Sequence, residues 1–355
     1  MRIFSFYLPQ YHEIPENNKW WGKGFTEWTN VKKAKPLFKG HVQPLHPLNS
    51  NYYNLMEKET VEWQTRLMKD YGLTGMIYYH YYFCGKKLLE KPAENLLRWK
   101  DIEQPFFFCW ANHSWKKTWN GTSELLVEQT YGDEKDWEEH FQYLLPFFQD
   151  SRYEKINNKP VFMFFISDFP FKENIVSYFD KRCKDYGFKG IFIINSVLNP
   201  KDAKKTNASN IDEIWHLREP NVSVSIYNAK LKYIPYRIIC KIKRIISSKY
   251  VYKCNGDTLL KGRTDFVCDY KYIPGVSFGW DNTPRHGSRG HVISSPSKEN
   301  FMKYMESIKD SEYVFVNAWN EWCEGMILEP TEENGYKYLE WIKEWTENEN
   351  RINGL

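Results

Sequence analysis

Gly75–Phe83 reads GMIYYHYYF, nine residues with no Asp, Glu, Lys or Arg among them. A strand with one wet face alternates apolar with polar residues, while a strand covered on both faces reads as an unbroken apolar run. This stretch therefore points to the middle of a parallel sheet. Runs of the same kind recur on either side of it: IFSFYL from 3, PFFFCWA from 105, PVFMFFI from 160, GIFIINSV from 190, IDEIWHL from 211, PGVSFGW from 274 and YVFVNAW from 313. Between them, residues 57–71, 134–149, 173–186, 297–309 and 335–347 carry apolar side chains at helical spacing. Eight such runs alternating with helices in 355 residues predict an α/β protein, a (β/α)8 TIM barrel, with a doubly wound sheet as the alternative. No Gly/Ser-rich linker, low-complexity tract or repeat divides the chain, so 1–355 is expected to be a single domain. Two segments exceed a minimal barrel: the long loop 9–55 after the first run, and a basic insertion at 217–273 between runs six and seven.

Composition narrows the function. Aromatic residues make up 18% of the chain, more than a core of this size normally needs. The seven cysteines are scattered and never spaced as C-x-x-C, which suggests neither a disulfide framework nor a zinc site. MRIFSFYLPQY at the N-terminus lacks the apolar stretch and cleavage site of a signal peptide, and a cytoplasmic location is expected. The net charge of +4 is local: residues 230–263 hold ten Lys/Arg against one Asp, so a uniformly basic nucleic-acid binder is a poor description. HExxH, D-x-D and P-loop patterns are absent, and neither a cofactor nor a metal is expected.

Barrel sites lie where strands end. There the sequence places Gln10, Tyr11 and His12; His80, Tyr81 and Tyr82; Trp110 and Asn112; Asp168; Asn195; His216 and Arg218; Trp280, Asp281 and Asn282; then Asn317, Trp319, Asn320, Glu321, Trp322 and Glu324. Rings interleaved with amides and carboxylates suit an oligosaccharide or polysaccharide, whose C–H faces stack while its hydroxyls need donors and acceptors. Glycosidic cleavage commonly uses two carboxyl groups in different environments, and residues three apart in a helical turn bring their Cβ atoms within roughly 5–6 Å, so Glu321 and Glu324 can face one ligand. Two solvated acids at a helix N-terminus are the bland alternative. Glu27 and the Asp281–Thr283 turn are further candidates for hydroxyl recognition, against ordinary capping and turn roles.

Four stretches, FYLPQYHEIPENNKWWGKGFTEWTNVKKAKPLFKGHVQP at 6–44, WANHSWKKTWNG at 110–121, PGVSFGWDNTPR at 274–285 and NAWNEWCEG at 317–325, together resemble the WbsX-like family of bacterial polysaccharide gene clusters. That family is often labelled glycosyltransferase and is similar to glycoside hydrolase family 99. The resemblance covers nearly the whole chain and implies a barrel enzyme acting with retention on α-linked sugars. It implies that Glu321 takes a proton from the substrate 2-hydroxyl to give a 1,2-anhydro sugar and that Glu324 is the general acid, then base. Trp28 and Trp119, which lie within these stretches, are further candidates for substrate binding. The chain departs from the family pattern at His113 and Asn120, where acids are commoner. On this reading Glu324 holds a proton and Glu321 is ionised. A sugar-nucleotide glycosyltransferase and a non-catalytic glycan-binding protein are the alternatives.

Within 235–246, PYRIICKIKRII, Ile238, Ile239, Ile242, Ile245 and Ile246 share one helical face and Arg237, Lys241 and Arg244 another. Such a basic amphipathic helix either rests on an anionic membrane surface or packs on the barrel with its cations in water.

Overall fold

The computed structural model describes residues 1–117, 124–203, 211–230, 234–247, 249–268 and 270–352. Its central sheet is made of β1 (Arg2–Tyr7), β2 (Gly75–Phe83), β3 (Phe106–Trp110), β4 (Lys159–Phe164), β5 (Phe192–Val197), β6 (Asp212–Leu217), β7 (Tyr272–Ile273), β8 (Gly275–Ser277) and β9 (Tyr313–Asn317). Neighbours run parallel in the order β7-β6-β5-β4-β3-β2-β1-β9-β8.

The two ends of that list are one strand. β7 pairs with β6 through Trp215 and Tyr272, β8 pairs with β9 through Gly275 and Phe315, and Pro274 lies between them. Proline has no N–H for a ladder, which accounts for the break, while its carbonyl still accepts from Phe315 N at 3.0 Å. At this seam a Cβ on Gly275 would lie 2.5 Å from the Leu217 carbonyl oxygen, so only glycine lets the strands close. The sheet is thus an eight-membered barrel, and the doubly wound alternative falls.

The five stretches with helical spacing are the helices Lys58–Asp70, Glu134–Gln149, Lys172–Asp185, Lys298–Ser307 and Lys337–Ile352. The second starts at a capping box, in which the Asp133 carboxylate accepts from Lys135 N and Asp136 N. Between β5 and β6 the described residues hold only the short turn Pro200–Asp202.

Much of the aromatic excess fills the barrel. Phe4 and Phe107 lie 5.2 Å apart between centroids, Phe107 and Phe315 5.6 Å and Phe6 and His216 5.7 Å, all tilted, while Phe6 stacks on Tyr79 at 5.6 Å. Wide rings fill a tapering lumen in layers, as branched aliphatics do in other barrels.

The insertion folds as the helices Asn221–Ala229, Ile234–Ile246 and Gly256–Thr264 with the strand Tyr252–Cys254. That strand pairs with His291–Ile293, which pairs with Trp280–Asp281, so the insertion is fastened to the loop after β8. A buried ion pair, Arg263 Nε to Glu219 Oε1 at 3.0 Å, ties its last helix to the end of β6. Among the described residues no helix is long and apolar enough to cross a membrane.

Candidate active site

After β9 the chain forms a tiny hairpin, in which Asn320–Glu321 pairs antiparallel with Met326–Ile327 around a single 3-10 turn at Trp322–Glu324. Gly325 closes it at φ 61°, and a Cβ there would press on Asp281 at 3.1 Å. Glu321 therefore ends a hairpin strand and Glu324 ends the 3-10 turn that follows it, and neither lies in the first turn of a longer helix. Trp322 and Cys323 between them are buried as anchors, while Glu321 and Glu324 both line a cavity of about 570 Å³ at the C-terminal mouth of the barrel.

Several residues expected to touch sugar instead hold this turn in place. Asn320 clamps β1, its Oδ1 accepting from Leu8 N at 2.7 Å and its Nδ2 donating to Leu8 O at 3.1 Å. Tyr11 donates its hydroxyl to the Asn320 carbonyl. Trp322 Nε1 donates to Glu329 at 2.7 Å, and Glu329 also accepts from Tyr53 OH at 2.8 Å and Gln64 Nε2 at 2.6 Å. Trp28 packs against Tyr11, Tyr53 and Trp322, with its indole N–H on the Tyr53 carbonyl at 2.9 Å.

Facing the cavity, Arg285 joins three carboxylates. It donates to Glu27 Oε1 at 2.9 Å, Glu324 Oε1 at 2.5 Å and Glu321 Oε2 at 3.5 Å. Trp280 Nε1 donates to the other Glu324 oxygen at 2.9 Å. Burial, then the neighbouring Glu324, pushes Glu321 up to about 8, a rise that the Arg285 charge opposes. This runs against the expectation of an ionised Glu321: in the open cavity burial favours its protonated form.

Period-two geometry sorts the rest. Along β2, Tyr79 and Tyr81 point into the cavity, whereas His80 and Tyr82 point outward and stack on His140, Tyr82 at 3.8 Å. Trp110 is also on the outer side, donating to the Tyr82 carbonyl at 3.0 Å. Asn112 bridges to Ile166, accepting from its N–H at 2.8 Å and donating to its carbonyl at 2.9 Å. His12 is buried away from the lining, and its burial depresses it to about 4. Asp281 is fully engaged by His41 and Gln43, each at 2.7 Å, and by Thr283, so it pins a loop and offers no diol site. Asn282 accepts from His291 N at 2.8 Å, a turn role. Trp119 and Asn120 lie outside the described residues.

Of the residues expected at the strand ends and in the adjoining loops, Gln10, Glu27, Tyr81, Arg218, Trp280, Asn317, Glu321 and Glu324 line the cavity. The expectation missed Arg285, Tyr79, Trp115, His113 and Asn17, which line it too. Arg285 closes the quoted stretch PGVSFGWDNTPR, and a lone cation ending an aromatic, turn-rich segment was its only signal. One pattern in that stretch, GVSFG at 275–279, has nucleophile-elbow spacing, but Gly275–Ser277 is β8 and, among the described residues, no His is hydrogen-bonded to Ser277.

The chain belongs to the family described as Glycosyltransferase WbsX, which matches residues 3–342. It is 30% identical over 349 residues to the uncharacterized protein WxcX of Xanthomonas campestris pv. campestris, and 29% identical to the same protein of strain B100. Each alignment covers 92% of this chain and 47% of the relative, so the chain spans about half the length of the curated relatives it matches. In fold it is similar to the GH99 endo-alpha-mannosidase from Bacteroides thetaiotaomicron, with TM-score 0.56 and 13% identity over 100% of this chain and 99% of that one. It is also similar to a structure described as a glycoside hydrolase-like protein, with TM-score 0.62 and 12% identity over 97% and 93% of the two chains.

Proposed function

We propose that this protein is a carbohydrate-active enzyme that hydrolyses or transglycosylates α-linked, mannose-type or related glycosides of a bacterial surface polysaccharide. The observation that carries this reading is the convergence of Glu321 and Glu324, from one hairpin, on an aromatic-walled cavity large enough for sugar rings. Membership in a glycosyltransferase family and likeness in fold to an endo-mannosidase support it.

In the retaining route, the substrate 2-hydroxyl gives its proton to Glu321 and its oxygen attacks the anomeric carbon. The glycosidic bond breaks as Glu324 protonates the leaving oxygen; Glu324 then takes a proton from water or an acceptor hydroxyl, whose oxygen opens the 1,2-anhydro ring at the anomeric carbon as Glu321 returns its proton to the 2-oxygen. The pair must carry one proton, and it must reside on Glu324 at the first step. Entry of a substrate 2-hydroxyl beside Glu321 favours its ionised form, and the Arg285 contact to Glu324 then has to yield. The family description favours a second reading, transfer from a sugar nucleotide.

The test is incubation with oligosaccharides from bacterial surface polysaccharides, with and without an acceptor or a sugar nucleotide, with products identified by mass spectrometry. Glu324→Gln should lose turnover and recover it on substrates with a good leaving group. Unchanged turnover in that variant removes the acid role.

We further propose that the insertion rests on an anionic lipid surface. The helix Ile234–Ile246 is held through Cys240, which is buried, and through two of its cations: Arg237 donates to Asn228 O at 2.9 Å and Arg244 to the Arg289 carbonyl. Its isoleucines face out, with Ile245 85% and Ile246 80% exposed, flanked by exposed Lys241 and Lys243. Residues 220–256 contain no Asp or Glu, so the flank complements anionic headgroups. Flotation with phosphatidylglycerol-containing vesicles should carry the wild type and lose Ile238→Ser/Ile242→Ser/Ile245→Ser and Lys241→Glu/Lys243→Glu. Equal recovery of all three, or self-association without vesicle binding, refutes it.

A further inference from the structure

Arg218, just after β6, is 6% exposed and lines the same cavity, with its guanidinium carbon 3.6 Å from the Phe165 ring centroid. Its Nη1 is buried without a hydrogen-bond partner, and no ion pair of Arg218 occurs among the described residues. The nearby acids are already engaged. Glu219 accepts from Arg263 at 3.0 Å and from Ser223 N at 3.2 Å, and Glu27, Glu321 and Glu324 gather on Arg285. A buried cation is costly unless an anion or strong acceptor meets it, and the planar fork of Arg, held here by stacking on Phe165, suits a carboxylate or phosphate bidentately.

We propose that Arg218 is a specificity-determining residue that binds an acidic substituent of the glycan, either the carboxylate of a uronic acid or a phosphate ester. This rests on the carbohydrate reading of the cavity and narrows it to charged polysaccharides. An unpaired cation on the wall selects an anionic sugar, whereas neutral hydroxyls would leave its charge unmatched. The competing role, in which Arg218 acts only through space on the charge of Glu324, predicts no selectivity in binding.

Ligand-observed NMR titration of the whole chain with methyl α-D-glucuronide, methyl α-D-glucoside 6-phosphate and methyl α-D-glucoside separates these. The wild type should bind one acidic glycoside at least tenfold more tightly than the neutral one, and the preferred acid identifies the substituent. Arg218→Gln should abolish the preference, bringing the acidic and neutral glycosides to similar affinities. Arg218→Lys, which keeps the charge without the fork, should retain part of it and decides the matter if the Gln variant does not fold. Equal affinities in the wild type, or a preference that survives in Arg218→Gln, overturn the proposal. Neutral binding alone leaves the carbohydrate reading standing, while failure of all three glycosides to bind removes both.

Discussion

Glu321 and Glu329 lie on the same segment after β9, and both are carboxyl groups that burial pushes upward, to about 8 and about 7. Their surroundings differ. Glu329 is sealed, its oxygens filled by Tyr53, Gln64 and Trp322. Among the described residues the Glu321 carboxylate has one hydrogen-bond partner, Arg285 at 3.5 Å, and faces a cavity whose walls carry unpartnered polar atoms on Glu27, Arg218 and Asn317. A raised proton affinity thus records burial; unfilled hydrogen-bonding capacity on an accessible cavity marks a site.

The largest effect that could break this contrast is on turnover. Glu324→Gln, on the cavity, is expected to lower kcat by about a hundred- to ten-thousand-fold on a natural glycoside, the range for a general acid. Glu329→Gln, which keeps an acceptor for the indole and the tyrosine, should keep most of its activity. Equal losses in steady-state assays would erase the distinction between the two clusters.

Stability should respond in the opposite sense. Glu329→Leu leaves the Tyr53 hydroxyl, the Gln64 amide and the Trp322 indole N–H without an acceptor, at about 1–3 kcal/mol for each buried orphan. Urea unfolding at neutral pH should therefore show a loss of about 3 kcal/mol or more. Glu321→Leu removes one long contact and should cost much less. Similar losses would mean that the cavity acid is as structural as the sealed one.

How far the sequence reveals this arrangement depends on how far apart the partners lie. The barrel was legible because each parallel strand is a local apolar run, whereas the break at Pro274 shows only once Tyr272 and Gly275 are seen to pair with different neighbours. Strand alternation was available too: it separates Tyr79 and Tyr81 from His80 and Tyr82. What local pattern could not decide is whether a polar residue at a strand end meets a substrate or the protein itself. Asn320, Trp322 and Asp281 read as ligands until Leu8, Glu329, His41 and Gln43 arrive from elsewhere in the chain to occupy them. Arg285 gave only a weak signal for the same reason, since its partner Glu27 lies in the loop after β1.

The smallest effect is the pH dependence of stability. Glu321 ionises near 4.5 in an unfolded chain and near 8 when folded, so between those values the native state binds the extra proton. Stability then falls as pH rises through that window, by up to about 1.4 kcal/mol per pH unit, and is flat on either side. Glu321→Gln lacks this term. The difference in unfolding free energy, variant minus wild type, should therefore grow in favour of the variant from pH 5 to pH 9, while the Glu329 contribution, of the same sign in both proteins, cancels. A difference that stays constant over that range would mean that Glu321 is ionised in the folded protein at neutral pH, and would restore the order of protonation that the sequence suggested.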